Sequence, residues 1–210
     1  GFQVVSSGAP NEEERLRPFL WRFWTHAPAR GRFTIFDRSW YRRVLNDRVA
    51  EEIPEAQVDD AFLDIAALER QWTDDGVVLI KFFLHISKHE QKRRLRKLAA
   101  NPATAWRVTR DDLRRHKLYH RYARAVEEML ARSRTECAPW TVIPAEDRHT
   151  ATVEMLKTVT DRLRQAMAGA ARGSETSERQ NRKGNRTAPV LAAVDLDRTI
   201  DEDAYNRKLK

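Results

Sequence analysis

A single cysteine, Cys137, stands among 210 residues. It excludes an intrachain disulfide, suits a reducing cytoplasm and, with no paired Cys and His spacing around it, is expected to pack rather than react. Long apolar runs are lacking as well: none approaches a membrane span, and no leader peptide is visible at the N-terminus. Acidic residues are outnumbered, 31 Asp and Glu against 39 Lys and Arg, for a net charge of +8. That balance points to an anionic partner without separating nucleic acid from another polyanion. The basic residues are interrupted by apolar strands instead of forming a groove-reading module, which argues against nucleic acid. No internal repeat is apparent. What the chain does have is 41% apolar residues over a length that fits one domain plus a tail.

Hydrophobic period and turn signals place strands at Phe2 to Ser6, Phe33 to Phe36, Gly76 to Leu84 and Trp140 to Ile143. Helices are expected at Asn11 to His26, with a kink or restart at Pro18, and at Ser39 to Ala50 and Val58 to Asp74. Further helices are expected at Ser87 to Ala100, Thr109 to Arg134 and Ala145 to Met167. Strands alternating with helices argue for an α/β fold, a parallel sheet layered between helices with ligands at the strand carboxyl ends. Asp37 and His85 fall there.

The run Phe33-Thr34-Ile35 leads directly into Phe36-Asp37-Arg38-Ser39-Trp40-Tyr41. An aspartate at the carboxyl end of a strand is where phosphoryl-transfer enzymes hold the water shell of Mg²⁺, and a neighbouring arginine neutralises transferring phosphate. Asp is also a favoured N-cap for the helix that follows, so both roles stand open for Asp37. Lys81 interrupts an otherwise continuous apolar strand. It must snorkel to an edge or meet an anionic partner, since an isolated buried ammonium loses its charge. Downstream, Ser87 and Glu90 have capping-box spacing, and six basic residues stand against one acid between Lys88 and Lys97. A second basic helix opens at Thr109 and Asp112, with Leu118, Tyr122, Val126 and Met129 as its buried side. Two such helices in succession, between strands, read as a polyanion-binding surface.

In order and spacing, several of these pieces together resemble the second family of polyphosphate kinases. They are Phe19-Leu20-Trp21-Arg22, Gly31 through Tyr41, Leu68-Glu69-Arg70-Gln71, Gly76 through Gln91, and Ala138-Pro139-Trp140-Thr141-Val142-Ile143-Pro144-Ala145. The resemblance implies a three-layer, thymidylate-kinase-like P-loop fold with a helical lid near 87–134. It also implies transfer of phosphate between inorganic polyphosphate and a nucleoside mono- or diphosphate with Mg²⁺, in a homo-oligomer or beside a tandem second unit. By motif position, Asp37 and Arg38 are the catalytic candidates, Asp37 ordering Mg²⁺ through water. Lys81, Lys88, Arg94 and Arg107 are the candidates for binding polyphosphate or nucleotide, with solubility as their competing role. His85 is expected to be a hydrogen-bonded structural residue, and Trp21, Trp40, Trp106 and Trp140 to pack in the core or lid.

The family's glycine-rich turn ending in Gly-Lys is expected before Phe2, yet no such motif occurs in the chain. Gly1 is therefore expected to open inside a longer protein. Departures from the family pattern also occur: Ile65-Ala66-Ala67 where Ile-Asn is usual, Thr152 in place of a cation, and His120 and Ala99 where an acid and a base are favoured. They keep open a non-catalytic polyphosphate-binding or dimer-scaffolding unit of the same fold. Beyond a domain at 1–168, the composition of 169–189 reads as a flexible linker. Residues 190–210, with Leu191, Val194 and Leu196 and a capping-box spacing at Thr199 and Glu202, read as the lead-in to a following domain.

Overall fold

The computed structural model describes the backbone of residues 1–180 and the side chains of residues 1–169. Two units divide between Ala166 and Met167, and the first carries every residue discussed below apart from the end of the last helix. Four five-residue strands form two parallel pairs. β1 (Phe2–Ser6) lies beside β2 (Phe33–Asp37), with Phe2 opposite Phe33 and Ser6 opposite Asp37. β3 (Lys81–His85) lies beside β4 (Trp140–Pro144), with Lys81 opposite Trp140 and His85 opposite Pro144. The class is mixed α/β with parallel pairing, but a single continuous sheet is not present among the described residues. β3 also starts later than the apolar run suggested. β4 begins opposite Lys81, so Val77 to Ile80 have no neighbouring strand to bond.

The helices follow the local chemistry closely. Pro18 has no N–H and disfavours helical backbone at the residue before it, so the expected long first helix is two single turns, α1 (Glu12–Arg15) and α2 (Trp21–Trp24). After β2, residues Arg43–Asp47 take a π-helical turn. The wider winding brings Arg42 beside Asp47, five residues on, at 3.0 Å, where an α-helix would align residues four apart. α3 (Ala56–Asp74) buries Val58, Ala61, Phe62, Ile65, Leu68, Glu69 and Trp72, a stripe at helical spacing. It closes on Gly76 at φ +89, a left-handed position that glycine takes at no steric cost. α4 (Lys88–Ala100) starts with the Ser87 hydroxyl accepting from the Glu90 amide. α5 (Arg110–Lys117) has the full reciprocal box, Thr109 with Asp112, as α1 has in Asn11 with Glu14. α6 (Tyr119–Arg132) follows, so the second basic helix expected from the sequence is broken at Leu118.

α7 (Arg148–Gln180) runs past the boundary at 169 where composition suggested a linker, through Ala170, Ala171 and Arg172, all good helix formers. Residues 181–189 of that stretch and the lead-in at 190–210 lie outside the described residues. No helix among the described residues is long and apolar enough to cross a membrane.

The core gathers α3 against Phe23, Trp40, Tyr41, Val44, Leu79 and Met129. Trp40 meets Phe23, Phe36 and Trp72 edge to face at 5.8, 5.5 and 5.3 Å, the arrangement that the ring quadrupoles favour. On β1 and β2 the alternation is one-sided: Phe36 packs against this core, whereas Phe2, Val4, Phe33 and Ile35 are exposed. Cys137 is exposed, contrary to the packing expected of it. If α3 is the organising helix, Ile65→Ala should lower unfolding free energy by about 2–5 kcal/mol, and Leu63→Ala, on its exposed side, by no more than about 0.5. Urea titration of both variants checks this, and equal losses would remove α3 from the centre of the core.

Candidate active site

Asp37 ends β2. Its backbone carbonyl accepts from the Ser7 amide at 2.9 Å, and its Oδ2 accepts from the Ser6 hydroxyl at 3.2 Å, so the carboxylate is steadied by the paired strand while remaining exposed. Arg38 follows at φ +62, a left-handed conformation that costs an L-residue roughly 1–2 kcal/mol. A non-glycine residue held there at a strand's carboxyl end marks a position that its surroundings enforce. Arg38 lies near α5: burial raises the Asp112 carboxyl, but hydrogen bonds from Thr109, with Arg115 and Arg38, outweigh that and hold it below its usual range.

Residues after this turn help to line a cavity of about 240 Å³, whose lining includes five arginines (Arg15, Arg17, Arg22, Arg42 and Arg43), two carboxylates (Glu14 and Asp47) and the rings of Phe19, Phe23 and Trp40. Part of the positive charge is already matched: Arg22 meets Glu14 at 3.4 Å and Arg42 meets Asp47 at 3.0 Å. Burial pushes the Asp47 carboxyl up, and the Arg42 guanidinium works against that rise. The result is a concave, cationic and partly aromatic surface, suited to a planar group bearing phosphates. The sequence reading missed this cavity. Its residues are scattered over α1, α2 and the π turn, and only the Arg42-Arg43 pair following Tyr41 hinted at it.

The predicted binding cations separate into two groups. Lys81 is 6% exposed, and its ammonium donates to Glu69 Oε2 at 2.8 Å, Tyr41 Oη at 3.1 Å and the Ser133 carbonyl at 2.8 Å. All three protons are used internally, so Lys81 is not available to an external anion; its anionic partner is Glu69. Burial lowers the Lys81 ammonium's pKa, with Glu69 opposing the shift. Arg94 is likewise engaged, donating to Glu90 at 2.6 Å and to the carbonyls of Ala145 and Glu146 at 2.6 and 2.8 Å. It clamps α4 to the β4–α7 junction. Lys88 is half-buried in the first turn of α4 and Arg107 is exposed, both without an ion pair among the described residues. Trp106, beside Arg107, is 78% exposed and does not pack in the lid as expected. His85 is exposed too; with Ser87, Glu146, Asp147 and Thr150 it borders a second cavity, also about 240 Å³. No group of three or more His, Cys, Asp or Glu side chains able to hold a metal occurs among the described residues.

A model of the polyphosphate kinase 2 family matches residues 1–170. The chain belongs to that family. It is 42% identical over 167 residues to a polyphosphate:AMP phosphotransferase of Pseudomonas syringae pv. tomato, which spans 80% of this chain and 34% of that relative. It is 41% identical over 145 residues to an AMP/ADP-polyphosphate phosphotransferase of Meiothermus ruber, 69% of this chain and 54% of the other. A Pseudomonas aeruginosa crystal structure of a polyphosphate kinase 2 matches with a TM-score of 0.77 at 40% identity, over 80% of this chain and 36% of that one. The chain thus spans about a third of the first relative's length.

For this polyphosphate kinase 2 chain, the clamp at α4 gives a pH test. Hydrogen bonds from Arg93 and Arg94 hold the Glu90 carboxyl at about 2, below its ordinary 4.5. A depressed folded value means that its stabilisation is complete above 4.5 and is lost as pH falls towards about 2. Glu90→Gln should therefore melt lower than wild type near neutrality, with the gap closing on the acid side of 4.5. A gap that persists in strong acid would show that the carboxylate charge is not what holds α4.

Proposed function

We propose that the protein to which this chain contributes moves a phosphoryl group between inorganic polyphosphate and a nucleoside mono- or diphosphate. The observation that carries this reading is the exposed Asp37–Arg38 turn, held with Arg38 left-handed at a strand end and followed within a few residues by Trp40, Arg42 and Arg43, which line an arginine-rich cavity. Phosphoryl transfer asks little covalent chemistry of a protein and mostly positioning and electrostatic stabilisation, which is what these groups can supply. The names of the relatives, AMP and ADP phosphotransferases using polyphosphate, support the same substrates.

In this reading the nucleotide occupies the cavity, its base against the part-buried ring of Phe19 and its phosphates among the arginines. Arg38 steadies the phosphoryl group in transit. Lys88 and Arg107, with other exposed cations of α4 and α5, draw the polyphosphate chain across the lid. Mg²⁺ fits Asp37 with the Ser6 hydroxyl beside it: this ion usually keeps several waters and substrate phosphates and needs only one or two carboxylates. When bound, it neutralises phosphate charge. The P-loop reading also requires backbone donors from a glycine-rich turn; Gly-Lys is absent from these residues, so in this proposal they come from elsewhere in the protein.

A second reading, a polyphosphate-binding or scaffolding unit without catalysis, draws support from Thr152. Where the family favours a cation, its hydroxyl turns back to donate to the Arg148 carbonyl at 2.8 Å. Two variants in the full-length protein separate the readings. Asp37→Asn keeps shape and should lower polyphosphate-driven phosphorylation of AMP or ADP by about 10²–10³. Arg38→Gly should slow transfer by at least about tenfold while melting no lower than wild type, because glycine relieves the left-handed strain. Unchanged turnover in both would favour the scaffold.

Polyphosphate affinity should also fall about tenfold or more when salt rises from roughly 50 to 200 mM, as exposed lid cations are screened. Calorimetric titration at the two ionic strengths measures this. Salt-independent affinity would exclude the lid as the binding surface.

A further inference from the structure

We propose that Glu69 is a positioning residue for the Asp37–Arg38 turn, acting through Trp40 and Tyr41. This deepens the phosphotransfer reading of that turn and rests on it.

Glu69 is 2% exposed, and its two oxygens serve different partners. Oε2 faces the Lys81 ammonium at 2.8 Å. Oε1 accepts from the Trp40 indole N–H at 3.1 Å and from the Tyr41 hydroxyl at 2.8 Å. Those donors sit three and four residues after Asp37, and both residues are almost fully buried. On the other side of the turn, Asp37 is fixed to β1 through Ser6 and Ser7. Arg38 lies between these two anchors, exposed, and its side chain makes no hydrogen bond among the described residues. A strained residue persists only where its neighbours over-determine the backbone, so its left-handed geometry depends on both anchors. The downstream anchor ends on Glu69.

The ion pair by itself does not explain the arrangement. Buried ion pairs are often replaceable by apolar residues of similar volume without loss of stability. What an apolar replacement cannot do is accept from the Trp40 N–H and the Tyr41 O–H. The structure therefore assigns the positioning role to Oε1, and leaves Oε2 with Lys81 as the counter-charge that allows a carboxylate to sit there.

Two double variants of the full-length protein separate positioning from stability. Glu69→Met with Lys81→Met removes the ion pair and the acceptor together. Glu69→Gln with Lys81→Met removes the ion pair and keeps an amide oxygen for Trp40 and Tyr41. The Gln pair should melt near wild type and the Met pair lower, because it leaves the buried Trp40 and Tyr41 donors unpaired, so kcat is compared well below both transitions. With polyphosphate and AMP or ADP, the Gln pair should retain kcat within about threefold. The Met pair should lose at least about tenfold in kcat at unchanged KM, and should exchange amide hydrogens faster across residues 36–42. Tyr41→Phe leaves both charges in place and stands in for the Met pair if that variant does not fold; an intermediate loss of kcat with faster exchange is expected. The proposal is overturned if the Met pair matches the Gln pair in kcat and exchange, or if exchange quickens as much over the rest of the first unit as over residues 36–42. If the wild-type protein transfers no phosphate from polyphosphate, yet exchange over 36–42 still depends on Glu69 in this way, positioning stands and the phosphotransfer reading falls.

Discussion

One carboxylate removed from water, Glu69, constrains much of the first unit. Its burial demands a cation, which Lys81 supplies from β3, and a second set of donors, which Trp40 and Tyr41 supply from the segment after β2. Lys81 in turn reaches the carbonyl of Ser133, where α6 ends. Elements far apart in sequence are thus joined at one polar point within an otherwise aromatic core. An unpaired charge at that depth would be strongly destabilising, so these contacts stand or fall together.

Much of this was legible in the residues, and what was not has identifiable causes. The caps at Ser87 and Thr109 follow from local spacing, because one side chain reaching an amide three residues on needs no tertiary information. Lys81 posed a choice between snorkelling and an anionic partner. The partner was readable in principle, since Glu69 lies on the same helical stripe as Val58, Ile65 and Trp72. Arg94 was assigned to ligand because a basic helix gives no sign of which cation turns inward; the two carbonyls it reaches lie more than fifty residues away. The arginine cavity depends on a π turn and two single-turn helices, none of which produces a 3.6-residue period.

The charge excess of the lid region deserves to be divided accordingly. Arg93 and Arg94 answer Glu90, and Arg48, Arg121 and Arg132 link the segment before α3, and the start of α3 itself, to α6 by way of Glu51, Asp59 and Glu128. These cations are taken up by contacts within the first unit. Lys88, Arg107 and Arg110 have no ion pair among the described residues, so they are the ones that the proposed polyphosphate reading leaves to an external anion. The same residue type thus serves the fold at some positions and stands unpaired at others.

The exposed side of β1 and β2 has a thermodynamic consequence. Phe2, Val4, Phe33 and Ile35 form two facing pairs in register, each at least half exposed to solvent in the folded first unit. When this chain unfolds by itself, little additional apolar surface is exposed at these positions. Heat-capacity change and denaturant sensitivity both scale with newly exposed surface. In this chain taken alone, the two pairs should therefore add little to either quantity, in contrast to the tightly packed core around α3.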